Sequence, residues 1–218
     1  MGSEMCIRDS IGSQILTDTP YKKTLNVMSK LIKDLELKLK FVDLGGGFGI
    51  NYSGKDKPIN LNKYSALVYN FSKKLNCKII FEPGRSIVGD TGILLSKVQY
   101  IKDGAKKIFI ILDAGMNDFM RPALYGATHK MLPSLKKNTN SKKTYEVVGP
   151  ICESTDKFTT LKNFQELEEN DLIVICDVGA YGMSLSSNYN LRPKPIELLI
   201  KGSKIKIIRK RQKHKDLM

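Results

Sequence analysis

The glycine run Gly45-Gly46-Gly47-Phe48-Gly49 lies directly behind the apolar stretch Phe41-Val42-Asp43-Leu44, and it constrains the fold more than any other feature. An extended apolar run that breaks into glycines reads as a strand ending in a loop. Helical patterns flank it on both sides. Thr17–Pro20 reads as a helix start, with Asp18 or Thr19 able to cap and Pro20 suited to the first turn. Leu25, Met28, Ile32, Leu35 and Leu39 then recur at helical spacing. Past the glycines, Leu61, Tyr64, Leu67, Val68, Phe71 and Leu75 share one face of a second predicted helix. Lys78–Phe81 reads as another short strand, ending at Glu82-Pro83-Gly84-Arg85. Residues 11–85 therefore alternate as parallel βα units do. Two strands cannot close a barrel, so the apolar inner face of residues 41–44 and 78–81 is expected to be uncovered.

After Ile87 the pattern changes. Ile93–Ile101, Lys107–Asp113, Thr144–Val148, Leu172–Asp177, Ile196–Ile200 and Ile205–Ile208 all read as strands separated by Gly, Pro and Asn. This half is expected to be an antiparallel β-domain, with Lys136–Lys143 a polar loop. The first ten residues, MGSEMCIRDS, lead into no pattern, read as a foreign leader and are set aside from the fold. The expected division is 1–10 leader, 11–88 βα units and 89–218 β-domain, with a basic tail.

Composition excludes several classes. Hydrophobic residues make up 41% of the 218, enough for a packed core. The net charge of +14 invites a nucleic-acid reading, but seven of the basic residues crowd into the last fifteen positions and no basic stripe interleaved with aromatics occurs. A solvated surface with a basic tail is the expectation, and no nucleic-acid partner. Cys6, Cys77, Cys152 and Cys176 lie far apart without a CxxC pair, against a zinc framework or a disulfide scaffold. No run approaches the length and apolarity of a membrane span and no secretory stretch opens the chain, so a reducing, cytoplasmic setting is expected.

Several clusters could carry chemistry. Glycines at 45–49 would let backbone N–H groups approach a phosphate, although a tight turn explains them equally well, and no Gly-Lys-Ser/Thr follows. Glu82-Pro83-Gly84-Arg85 ends the next strand, and two such neighbouring loops are similar to a TIM-barrel phosphate site. A buried Glu82 there would need a cation: a protonated ring nitrogen, or Arg85 in a plain loop-closing ion pair. Arg121 and Tyr125 in NDFMRPALYGA could clamp a carboxylate or be structural. Cys152 beside Glu153 in GPICES could be a proton donor, a nucleophile or core filler. With only His129 and His214 in the chain, a Cys–His hydrolase is not expected. Tyr181 in DVGAYG could enter a cleft or pack in the core.

Taken in order, IGSQ, DLGGGFGI, EPGRS, DAGMNDFMRPALYGA, GPICESTD and DVGAYGMSLSSNYN, ending in RPKPIEL, resemble the fold-type III pyridoxal-phosphate-dependent decarboxylases of basic amino acids over about residues 11–200. GPICES and NDFMRPALYGA are most similar to the branch acting on diaminopimelate; the ornithine and arginine branches and a non-catalytic dimerising relative are the alternatives. The resemblance implies an α/β plus β fold: the last strands of a (β/α)8 TIM barrel, then an antiparallel β-barrel or sandwich. It implies pyridoxal 5'-phosphate as cofactor and decarboxylation of meso-2,6-diaminopimelate to L-lysine and CO2 as the activity. By the same resemblance, Ser13, Gly46, Gly47, Glu82, Gly84, Arg85 and Tyr181 hold the cofactor, with Glu82 toward the ring nitrogen. Arg85, Arg121, Tyr125, Glu153 and Tyr181 meet the amino-acid substrate, Glu153 at its distal ammonium and the arginines with Tyr125 at its distal carboxylate. Cys152 is the acid that reprotonates the α-carbon, and Cys152 and Glu153 serve the neighbouring active site of a homodimer. Two positions depart from the pattern. No lysine in 11–218 sits in the family's Schiff-base motif, and Ser10 stands where the family has a ring-stacking histidine. The chain is therefore expected to be the carboxy-terminal part of such an enzyme, and inactive alone.

Overall fold

Val42 is fully buried, and the first unit is built around its strand. The computed structural model describes residues 6–9, 11–138 and 140–218, and the chain divides into two compact units, Met1–Asp90 and Thr91–Met218. In the first, β2 (Phe41–Asp43) is paired in parallel with β1 (Cys6–Arg8) on one side and with β3 (Lys78–Ile80) on the other. Helix α1 (Thr19–Asp34) connects β1 to β2, and α2 (Leu61–Leu75) connects β2 to β3. Parallel strands require crossovers of this length.

Both helices follow from their apolar stripes. Tyr21, Leu25, Met28 and Ile32 of α1 pack with Tyr64, Val68 and Phe71 of α2 and with Val42 and Leu44 in one core. Asp18 takes the N-cap position of α1 without a side-chain capping bond, and Pro20 lies in the first turn as expected. The Asn60 side chain caps α2 by accepting the Lys63 N–H, and Asn76 ends it in the left-handed conformation. Leu35 and Leu61, placed on the apolar faces from spacing, are exposed because they fall at the helix ends.

Two expectations need correction here. The segment set aside as a leader contributes Cys6–Arg8 as a strand, since its backbone pairs with Phe41–Asp43 although its side chains show no apolar pattern. The expected uncovered face is also only partly so. Val42 and Leu44 pack into the helix-covered core, while on the opposite face Phe41 is half-buried and Ile80, on the sheet's edge strand, is exposed, as is Phe81 just beyond it.

The second unit holds a six-stranded sheet in the order β6-β9-β4-β5-β7-β8. Its strands are β4 (Leu94–Asp103), β5 (Ile108–Leu112), β6 (Met131–Pro133), β7 (Lys142–Val148), β8 (Lys157–Gln165) and β9 (Leu172–Ile175). A separate antiparallel hairpin joins β10 (Glu197–Lys201) to β11 (Lys204–Arg209). The large sheet is mixed rather than antiparallel throughout, because β5 and β7 pair in parallel. Residues 113–141 separate these two strands, enough chain to return to the same end of the sheet. Strands β6 and β8 carry no clean apolar alternation and were not expected; β7 also takes in Lys142 and Lys143 of the expected polar loop.

Alternation builds the core of this sheet. Ile110 and Leu112 of β5, Tyr145 and Val147 of β7, and Ile173 and Ile175 of β9 all face inward, with Val98 and Phe119. The Tyr145 hydroxyl accepts the Leu167 N–H, so its one polar atom is satisfied. Glu146, on the opposite face of β7, is held by Lys107, Lys157 and Thr160. Among the described residues no helix is long and apolar enough to cross a membrane.

Because Ile110 is fully buried in this cluster, Ile110→Ala should lower the unfolding free energy by about 2–5 kcal/mol. Urea denaturation followed by far-ultraviolet circular dichroism would measure it. A loss well under 1 kcal/mol would mean the sheet interior is not tightly packed.

Candidate functional site

In the first unit the candidate residues gather at the carboxyl ends of β2 and β3. The turn after β2 is set by Asp43, whose Oδ1 accepts the Gly45 N–H at 2.8 Å. The Glu82 N–H then donates to the Gly45 carbonyl at 2.8 Å, tying the two strand-end loops together. Gly46 is required for this approach: a Cβ there would lie 2.3 Å from the Glu82 carbonyl oxygen. Gly47 has φ +89, and its Cβ would lie 2.7 Å from the Gly12 carbonyl. The IGSQ segment runs alongside, with Ile15 bonded through its backbone to Gly47 and Gly49. Gln14 bonds both backbone groups of Ile50, closing the far end of the loop. Tyr21, Phe48 and Tyr64 pack ring on ring beneath it. Burial pushes the Tyr21 phenol up to about 12, so it stays protonated and donates to the Gly46 carbonyl.

Arg85 reaches across this cluster. Its Nη2 donates to Ser13 Oγ at 2.8 Å and its Nη1 to the Tyr52 hydroxyl at 2.6 Å, with the guanidinium over the Tyr52 ring. Tyr52 is buried and escaped the sequence reading, since a lone Tyr after a glycine loop carries no local signal. Glu82 differs from expectation: it is exposed rather than buried, and its cation is Arg8. Gly84 precedes the short helix α3 (Arg85–Val88), and a Cβ there would meet open space. Ser10, singled out in the sequence, lies outside the described residues.

The cluster's donor set suits an anion such as a phosphate group. The Arg85 guanidinium and the Ser13 hydroxyl stand beside the half-buried Gly46 and Gly47 and the open Gly84, a set that fits an anion. Glu82 on the adjoining loop is a carboxylate able to face a protonated ring nitrogen in place of Arg8.

In the second unit two loops are pinned by one buried carboxylate. Asp156 Oδ1 accepts the Met116 N–H and Oδ2 the Ile151 N–H, both at 2.7 Å. The first bond holds the loop that leads into Arg121, the second the turn that carries Cys152 and Glu153. Burial pushes the Asp156 carboxyl up, partly offset by these N–H donors and Arg192. Asp118 is raised for the same leading reason and accepts the Gly115 N–H. Arg192, from the RPKP segment, donates to the Asn117 side chain and the Asp113 carbonyl. Tyr189 donates to Glu153 Oε1 at 2.7 Å. Asp156, Tyr189 and Arg192 all lie in quoted motifs, yet nothing in one dimension assigned them these contacts.

Arg121 opens the short helix α4 (Arg121–Tyr125) and is buried, with its Nη1 against His129. Tyr125, at the other end of α4, is exposed. Cys152 and Glu153 are exposed, and all four cysteines are free. Tyr181 is half-exposed at φ +59, a backbone region that tyrosine rarely adopts and that clusters at functional sites.

A family model described as "Pyridoxal-dependent decarboxylase, C-terminal sheet domain" matches residues 18–179. The chain belongs to the pyridoxal-dependent decarboxylases. It is 39% identical over 207 residues to a diaminopimelate decarboxylase of Aquifex aeolicus, covering 94% of this chain and 49% of that protein. It is 42% identical over 210 residues to one from Helicobacter pylori, covering 95% and 52%. A crystal structure of diaminopimelate decarboxylase from Helicobacter pylori complexed with L-lysine superposes with a TM-score of 0.84 at 41% identity, over 97% of this chain and 53% of that one. The chain thus spans about half the length of the curated relatives it matches.

The Asp156 bonds make a prediction about pH. The folded carboxyl holds its proton more tightly than the unfolded one at 3.8, so stability should fall as pH rises from 3.8 through the raised folded value, Asp118 acting in the same direction. Asp156→Asn should flatten that part of the stability curve. It should also cost about 1–3 kcal/mol at neutral pH, because one of the two accepting oxygens becomes an NH2 group that faces an N–H donor. Thermal melts of both proteins across the acid range would show whether the two curves stay parallel, which would remove Asp156 from this role.

Proposed function

We propose that this chain is the carboxy-terminal half of a pyridoxal 5'-phosphate-dependent diaminopimelate decarboxylase, converting meso-2,6-diaminopimelate to L-lysine and CO2. The observation that carries the reading is the Arg85–Ser13 bond beside the glycine loop, two strand-end segments 72 residues apart in sequence. The open parallel sheet with exposed Ile80 and Phe81 at its edge supports a partial (β/α)8 barrel. The relatives' names supply the substrate class.

In this reading Ser13, Gly46, Gly47, Gly84 and Arg85 hold the phosphate end of the cofactor, Glu82 exchanges Arg8 for the ring nitrogen, and Tyr181 contacts both cofactor and substrate. The bound cofactor supplies an electron sink for the pair left behind by CO2. The Cys152 thiol delivers a proton to the α-carbon. Arg121 and Tyr125, with Arg85, meet the substrate's distal carboxylate, which matches a guanidinium fork. Glu153, aimed by Tyr189, meets the distal ammonium. The site is completed by a second copy of the protein, so the working form is a homodimer. The apolar hairpin β10–β11, with Ile200 and Ile205 about two-thirds exposed, supports such an association.

The test is to complete the chain with the amino-terminal half of the Aquifex aeolicus enzyme and measure CO2 release. Turnover should be faster on meso-diaminopimelate than on ornithine; the reverse order would overturn the substrate assignment. The 218-residue chain alone should release none, having no lysine in the Schiff-base motif. Cys152→Ala in the completed enzyme should lower turnover by about 10²–10⁴-fold, and an unchanged rate would remove the thiol from the chemistry.

A further inference from the structure

His129 is 3% exposed, and both of its ring nitrogens are engaged. Nε2 lies 2.7 Å from Arg121 Nη1, and Nδ1 lies 2.9 Å from the Cys176 carbonyl oxygen. A guanidinium only donates and a carbonyl only accepts, so Nε2 offers its lone pair and Nδ1 carries the hydrogen. These two contacts define a neutral ring in a single tautomer.

The ring is itself fixed to the sheet. His129 stands two residues before β6, whose Met131 pairs with Ile175 of β9, and the Cys176 N–H donates to the Lys130 carbonyl. Phe119 packs against the imidazole at 4.6 Å and 84° between planes. The buried Arg121 side chain is thus tied through an imidazole to the end of β9, and the Asp177–Gly182 loop carrying Tyr181 follows directly from that anchor.

We propose that His129 is a positioning residue: it holds the Arg121 guanidinium in the orientation that receives the substrate's distal carboxylate. The proposal rests on the reading of Arg121 given above and deepens it. Preorganising a long cation in this way lowers the cost of ordering it on binding, so its loss should appear in substrate affinity more than in the chemical step.

Two measurements test it. Imidazole nitrogen NMR of the 218-residue chain should show His129 as the Nδ1–H tautomer at pH 7; with only two histidines in the sequence, His129→Gln assigns the signal. An Nε2–H or doubly protonated ring would overturn the proposal. In the completed, cofactor-loaded enzyme, His129→Phe should raise KM for meso-diaminopimelate by about 10- to 100-fold, and by more than it lowers kcat, as expected for a perturbed charged hydrogen bond. It should leave inhibition by cadaverine, which has both amines and neither carboxylate, within about threefold. His129→Gln should recover most of KM, because its side-chain oxygen can accept from Arg121. Equal losses toward both molecules, or no recovery with Gln, would reduce His129 to packing. Arg121→Ala separates the two claims: if it leaves KM unchanged, the substrate role of Arg121 fails; if it raises KM while His129→Phe does not, only the positioning role fails.

Discussion

Asp156 buries a carboxylate where two loops of the second unit meet, and the shape of both loops depends on it. Its oxygens accept backbone N–H groups from Met116 and Ile151, which belong to segments separated by the whole of β6 and β7. Desolvating a carboxylate is costly, and backbone donors are among the few groups that compensate without adding charge. The arrangement exchanges stability for placement: Arg121 follows one pinned segment and Cys152 the other. Arg192 and Tyr189, from a third stretch of chain, add charge-assisted bonds to the same loops.

The first unit solves a similar problem with backbone alone. Its two loops approach so closely that only hydrogen fits at Gly46. That closeness brings the EPGR segment beside the glycine run, and Arg85 spans from there to Ser13 and Tyr52. The aromatic layer of Tyr21, Phe48 and Tyr64 supports the loop from the core side, so its form is fixed by packing as well as by its glycines.

Much of the fold was legible in the sequence because its signals were periodic. Helix α2 keeps the expected span of 61–75, while α1 starts where expected but ends at Asp34, short of the Leu35 and Leu39 that continued its stripe. Strands β5, β7 and β9 were legible from their apolar runs. Strands β6 and β8 were not, since one is three residues long and the other mixes Lys, Thr and Asn into its pattern. The parallel pairing of β5 with β7 was hidden too: alternation tells which face a side chain takes but not which neighbour its backbone finds. Cys6–Arg8 pairs through backbone groups that every residue type possesses, so composition could not announce it.

The candidate site divides along the same line. Sequence alone determined which residue types stand in each motif, in an order whose resemblance pointed to the pyridoxal-dependent decarboxylases, a membership the family comparison then showed. Only tertiary structure decided what each group touches: Glu82 on Arg8, Arg85 on Ser13 and Tyr52, Glu153 on Tyr189, and Arg121 on His129. The reason is physical. A motif records neighbours along the polymer, whereas hydrogen bonds and ion pairs form within about 3–4 Å through space, and the distances between such neighbours are set by sheet register and loop closure.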